Sequence, residues 1–141
     1  VFFLAEQDGH EKLFRLDLRD GRVRLALPMD RGVYGGLSIA ERGRGAGGEP
    51  VIVATWESAQ RPPEVVRIEL SRGAHRELTS FTAARLAGLD LPAVEHFWFT
   101  SQRGRRIHNL LVRPPGFDPN MRYPLFNVIH GVPNSMWREQ W

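Results

Sequence analysis

The chain has no cysteine, a single lysine and no apolar run long enough to cross a bilayer. Without cysteine there is no disulfide framework, no thiolate nucleophile and no sulfur ligand for a metal, and the absence fits cytoplasm and periplasm equally well. A spanning helix needs about 20 consecutive apolar residues, so no membrane partner is expected. An initiating methionine is missing as well: the first residue is Val1, and no charged-then-apolar leader precedes the first strand-like run. The compartment is therefore left open between cytoplasm and periplasm. The near-absence of lysine explains the pI of 10.1. The net charge is only +3, and every basic residue except Lys12 is arginine, whose high pKa raises the pI without a large charge excess. The one dense cluster, Arg103, Arg105 and Arg106 around Gly104, lacks the broad basic surface with interleaved aromatics that nucleic acid requires, and it reads as a solvated turn.

What is present is alternation. In "KLFRLDLRDGRVRLAL" (Lys12–Leu27) and "EVVRIELSRGAHRELT" (Glu64–Thr79) the residues align without a gap at an offset of 52. Leu13 meets Val65, Arg15 meets Arg67, Leu16 meets Ile68, Asp17 meets Glu69, Gly21 meets Gly73 and Arg24 meets Arg76. Each copy is an apolar/polar run, a Gly-containing turn and a second short run, the period-two pattern of a hairpin with one buried face. "VYGGLSIA" (Val33–Ala40) and "PVIVATW" (Pro50–Trp56) precede the second copy and bring it to four strands; only "VFFLA" (Val1–Ala5) precedes the first. A four-stranded unit recurring at this period is the mark of a β-propeller blade, and the chain is expected to begin inside one. A seven-stranded sandwich fits the strand number but leaves the repeat unexplained.

Several motifs do not carry the chemistry they resemble. "GRGAGG" (Gly43–Gly48) matches the dinucleotide fingerprint in letters, but Glu49 and Pro50 lead into a strand instead of the helix whose N-terminus receives the pyrophosphate. Ser38 in "GLSIA" lacks the strand, strained turn and helix of a nucleophile elbow. The histidines, His10, His75, His96, His108 and His130, show no paired metal-ligand spacing, so no metal and no cofactor are assigned. Ser135 stands near His130 without a positioned acid. Trp98, Trp137 and Trp141 read as packing residues.

The architecture changes after residue 80. "SFTAARLAG" (Ser80–Gly88) has cap-type residues, helix formers and a terminal glycine, and reads as a short connecting helix. "VEHFWFT" (Val94–Thr100) and "RIHNLLVRP" (Arg106–Pro114) form an expected hairpin. "PPGFDPNMRYP" (Pro114–Pro124) is irregular. "LFNVIHG" (Leu125–Gly131) has the apolar character of a buried strand in a mixed α/β sheet, broken sharply by "HGVP".

A buried strand ending in His-Gly-x-Pro resembles the third strand and following turn of an α/β-hydrolase, the turn that contributes one backbone N–H to the oxyanion hole. The longer segment "EHFWFTSQRGRRIHNLLVRPPGFDPNMRYPLFNVIHGVP" resembles the entry to the catalytic domain of the prolyl oligopeptidase family of serine peptidases, in its bacterial dipeptidyl aminopeptidase and acylaminoacyl peptidase branches. In that family a β-propeller precedes the hydrolase domain. The resemblance implies a fragment of a larger enzyme. Residues 1–88 would be the C-terminal part of the propeller, about two blades with the first incomplete, and 89–141 the first strands of the α/β-hydrolase domain. It further implies short peptides as substrates, the remainder of the polypeptide as partner, and an oxyanion-hole loop at His130, Gly131, Val132 and Pro133. Serine, acid and histidine follow the third strand in this fold, so the triad is expected beyond Trp141 and the isolated chain is expected to be inactive. A non-catalytic propeller-type binding module and an esterase of the same hydrolase fold are the alternatives.

The sequence departs from the family pattern at two places: Val132 stands where the turn usually has a second glycine, and Asn127 interrupts the apolar run. An oxyanion donor is a backbone N–H, so a side chain there acts only through the φ it permits and the room it occupies. Valine, branched at Cβ, resists positive φ. In the full-length protein Val132→Gly is expected to hold or raise kcat on small substrates. Val132→Pro, which deletes the N–H, is expected to lower it by about 100-fold or more. Equal kcat for the folded proline variant and the parent removes residue 132 from the mechanism.

Overall fold

A computed structural model describes residues 1–40, 48–131 and 136–141. The glycine-rich loop from Gly43 through Gly47, and Val132, Pro133 and Ser135, lie outside the described residues. The described residues form three antiparallel sheets. Strands β1 (Phe2–Gln7), β2 (His10–Leu16) and β3 (Val23–Leu25) make the first, in that order; β4 (Val33–Ala40), β5 (Val51–Ser58), β6 (Arg61–Glu69) and β7 (Ala74–Glu77) make the second; β8 (Val94–Thr100) and β9 (Arg106–Val112) make the third.

The 52-residue repeat survives as register. Arg15 pairs with Arg24 in the first sheet, and the equivalent Arg67 pairs with Arg76 in the second. Like charges facing each other across a ladder destabilise it, and in both copies an acid lies beside the second arginine: Asp20 at 3.5 Å from Arg24, and Glu69 at 3.8 Å from Arg76. Four strands make up the second copy and three the first, as the alternation predicts.

The two copies bury different faces. In the second sheet Val66 faces Ala54 and Ile68 faces Ile52, and all four are buried. The residue equivalent to Val66 is Phe14, which is only half-buried and stacks on Phe3 at 5.8 Å. The first sheet instead contributes Leu13, one step out of phase, together with its cross-strand partner Leu4. Because side chains alternate between faces, a one-residue offset is a change of face. The sheets are therefore stacked in file, the back of one on the front of the next, with Leu13, Leu27, Tyr34, Ile52, Ala54, Val66 and Ile68 as a single core. The Tyr34 hydroxyl crosses this core to share a hydrogen bond with His75 Nδ1 at 2.6 Å. Burial raises the tyrosine pKa and lowers that of the histidine, so both stay neutral. A register shift between Gly35 and Ser38 bends β4, and Gly36, at φ +54°, takes the left-handed backbone that this bulge requires.

The exit from the second sheet is fixed by a buried carboxylate. Glu64 on β6 is 1% exposed. It accepts hydrogen bonds from the Thr79 hydroxyl at 2.5 Å and from the Thr82 N–H and hydroxyl at 2.9 Å each. Thr79 Oγ1 in turn accepts the Val65 N–H at 2.9 Å. This use of Thr82 explains why the expected helix is short. Thr82 sits at the N-cap, but its hydroxyl goes to Glu64, no side chain caps the backbone, and only one turn forms, α1 (Ala83–Leu86).

The Thr79 hydroxyl first, and then the Thr82 and Phe81 backbone, pull the Glu64 carboxyl down to about 2 against the opposing effect of burial. A depressed folded-state pKa contributes stability above the ordinary carboxylate value, and that contribution is lost as pH falls toward the folded one. The melting temperature of Glu64→Gln is therefore expected to lie below that of the parent at neutral pH, with the gap closing as pH drops from about 4.5 to about 2. A gap independent of pH over that range overturns the assignment.

Candidate functional site

The sequence-predicted oxyanion segment is only partly in view. His130 is half-buried and meets Trp137 edge-to-face at 5.3 Å; Gly131 is exposed; Val132 and Pro133 lie outside the described residues. The run before it corrects an expectation. Leu125–Gly131 does not form a buried strand: it is unpaired, with Leu125, Phe126, Val128 and Ile129 at 81, 85, 68 and 83% exposure. A strand exists only through its neighbours' N–H and C=O groups. The hairpin β8–β9 pairs only with itself, and no other described strand is hydrogen-bonded to this run. The tryptophans also differ from the packing role expected of them. Trp98, Trp137 and Trp141 are all exposed, and Trp98 contacts both the Arg106 guanidinium and the His108 ring, each 4.7 Å away. The arginine-rich turn of β8–β9 is exposed, as anticipated.

The structure instead assembles a histidine cluster that linear spacing conceals. Asp8 and Gly9 form a two-residue turn between β1 and β2, both at positive φ (53° and 79°), the backbone that matches strand twist in tight hairpins. The turn places the Gly9 backbone against two imidazoles: a Cβ there would stand 2.8 Å from His108 Cε1 and 3.2 Å from His96 Cε1. His10, the first residue of β2, stacks on His96 with centroids 4.8 Å apart and planes at 17°. His96 and His108 are diagonal neighbours on one face of β8–β9, because His108 pairs with Trp98, and their nitrogens Nδ1 and Nε2 are 3.1 Å apart.

Glu139 closes the cluster. Its N–H donates to the Gly9 carbonyl at 2.8 Å, and its Oε2 lies 3.4 Å from His96 Nε2 and 3.8 Å from His10 Nδ1. Arg138, its neighbour, points the other way, to Glu11 and, at 3.5 Å, to Glu6. The Trp141 N–H donates to Glu57 Oε2 at 3.0 Å. His10 Nδ1 is 3.0 Å from the Gly32 carbonyl, which can only accept, so His10 carries its proton on Nδ1. Burial above all lowers the His10 pKa, with the Gly32 bond acting against it and the His96 ring with it. His108 is lowered by burial and then by His96.

No serine hydroxyl among the described residues is hydrogen-bonded to a histidine, so these residues hold no nucleophile and base pair. The cluster's chemistry is that of proton or cation binding. The Asp8-Gly9 dipeptide was a visible signal of part of it; that His96 and His108 are diagonal neighbours on one hairpin face, against the expectation of no paired spacing, follows from the register. Nothing in the spacing signals Glu139.

Comparison with known proteins is consistent with the C-terminal pattern. No family model matches. Dipeptidyl-peptidase 5 of Porphyromonas gingivalis is 25% identical over all 141 residues, which cover 19% of that protein. Dipeptidyl-peptidase 5 of Schizosaccharomyces pombe is 39% identical over 54 residues, 38% of this chain and 8% of the relative. Among solved structures, the acylaminoacyl peptidase of Pyrococcus horikoshii superposes with a TM-score of 0.60 at 23% identity, over 80% of this chain and 16% of that one. The chain thus spans less than a fifth of the length of these relatives. In class it is an antiparallel β protein with the local fold of a peptidase segment. Its resemblance is to peptidases of the prolyl oligopeptidase family.

The contact of Gly9 with the cluster makes a testable prediction. Gly9→Ala forces a Cβ into the left-handed region and against His108, and is expected to cost about 1–3 kcal/mol. In the Gly9→Ala, His108→Ala double variant the clash with His108 is gone, leaving the backbone strain and the tight approach to His96. The two substitutions should therefore be less than additive in denaturant unfolding. Strict additivity shows that the turn and the ring do not touch.

Proposed function

We propose that the chain is part of a serine-type peptidase of the prolyl oligopeptidase family, cleaving short peptides through an acyl-enzyme. On this reading residues 1–88 are consecutive blades of a β-propeller and 89–141 open an α/β-hydrolase domain. The turn His130–Pro133 forms one wall of the oxyanion hole, and the nucleophile, acid and base lie on parts of the protein outside these 141 residues. The observation that carries the proposal is the alignment of all 141 residues with a dipeptidyl-peptidase. The stacking of two repeat-related sheets in file supports the propeller half, because successive blades meet back to front whereas the two sheets of a sandwich share one inner layer.

Acyl transfer needs a nucleophile, a base, an orienting acid and donors aimed at the developing oxyanion. The contribution of this segment is the last of these, and a propeller over the site restricts access to short chains. The test is to assay the full-length protein on dipeptidyl anilides, N-acetyl-aminoacyl anilides and short-chain esters, and to label it with a serine-directed fluorophosphonate. Covalent labelling with turnover of the peptide anilides is expected, and no turnover by the 141-residue chain alone. Absence of labelling in the folded protein overturns the proposal in favour of a binding module. Turnover of esters far above peptides overturns it in favour of an esterase.

A further inference from the structure

We propose that His10, His96 and Glu139 are the ligands of a divalent transition-metal ion of the zinc type, which clamps together the β1–β2 hairpin, the β8–β9 hairpin and the segment around residue 139. The inference is independent of the peptidase reading, since none of these residues has a role in it. Two imidazoles and a carboxylate are a ligand set suited to Zn²⁺, with a fourth position left for water. Magnesium and calcium, which take oxygen ligands, are disfavoured by the two nitrogens.

The geometry is close to what such an ion needs. One ligand atom from each residue can be chosen so that all three lie within 4.8 Å of one another. With metal–ligand bonds of about 2.0–2.1 Å, the edge of a coordination tetrahedron is about 3.3 Å. Glu139 Oε2 already stands 3.4 Å from His96 Nε2; His10 would ligate through Nε2, because its Nδ1, 3.8 Å from the same oxygen, is the nitrogen that donates to Gly32.

A second observation points to a ligand. His96 Nε2 is buried without a hydrogen-bond partner among the described residues, on the side of the ring that faces Glu139. A buried polar atom left unpaired costs roughly 1–3 kcal/mol, so such atoms call for an explanation. The supporting bonds fit ligation as well. Metal-bound histidines usually donate their other N–H to a carbonyl or another acceptor, which fixes the ring and its tautomer. His10 donates from Nδ1 to the Gly32 carbonyl, and ligation through Nε2 leaves that bond intact. His96 Nδ1 lies 3.1 Å from His108 Nε2 and can donate to it, which frees Nε2 for a metal. Finally, Glu139 is a buried carboxylate. Among the described residues no arginine or lysine nitrogen is within 4.0 Å of it, and Arg138 is committed to Glu6 and Glu11. A buried carboxylate requires a cation or a full set of donors, and a divalent ion among neutral imidazoles supplies the charge.

The test uses the full-length protein stripped with a chelator and dialysed. Zn²⁺ is titrated calorimetrically, melting is followed with and without the ion, and Co²⁺ is added as a spectroscopic probe. Saturable one-to-one binding, a higher melting temperature with Zn²⁺ and intense visible Co²⁺ bands of a four-coordinate nitrogen/oxygen site are expected. His96→Gln and Glu139→Gln, each checked for folding by circular dichroism, should weaken Zn²⁺ binding at least 100-fold. His108→Gln should weaken it about 10- to 100-fold, as loss of an outer partner does. No saturable binding overturns the proposal. So does binding left unchanged in both ligand variants, or a melting temperature that responds to pH and not to Zn²⁺, which would make the cluster a proton site only.

Discussion

The whole structure depends on one packing constraint: the first two sheets share a core to which each contributes a different face. Leu13 and Leu4 from one side meet Ile52, Ala54, Val66 and Ile68 from the other, with Tyr34 filling the seam. Because the repeat-equivalent faces do not meet each other, each sheet retains an apolar second face, carrying Phe3 and Phe14 in the first sheet. A sandwich closes after two layers. A file of sheets can continue, and that property makes a repeated blade a coherent reading of residues 1–88.

Two buried carboxylates hold the polar side of this arrangement, and they are solved differently. Glu64 is surrounded by donors from Thr79 and Thr82, so its charge is stabilised locally and it pins the chain as it leaves β6 and β7. Glu139 has imidazoles in place of hydroxyls and amides, one of them with a nitrogen that no described residue pairs. The first is a complete network. The second has acceptors and lone pairs converging on one point, the arrangement expected around a cation.

The third sheet and the run after it carry their apolar surface outward. Phe97, Phe99 and Ile107 on β8–β9 and Leu125, Phe126, Val128 and Ile129 beyond it are exposed. Contiguous exposed apolar surface is characteristic of interaction faces.

The sequence by itself determined the strands of all three sheets, the registers of the repeat and the family likeness, because these rest on period two, turn chemistry and local motifs that no distant residue can alter. Val33–Ala40 and Val94–Thr100 appear with the limits read from their alternation. The length of α1 was not legible, since it turned on a hydroxyl spent on Glu64, remote in sequence. Nor was the state of Leu125–Gly131, whose apolarity is written in the chain but whose pairing is a property of neighbours. Only the tertiary structure decided which face of each sheet is buried, and only it brought His10, His96, His108 and Glu139 to one place. Such contacts arise from the fold of hairpins onto one another, and linear spacing carries no record of them.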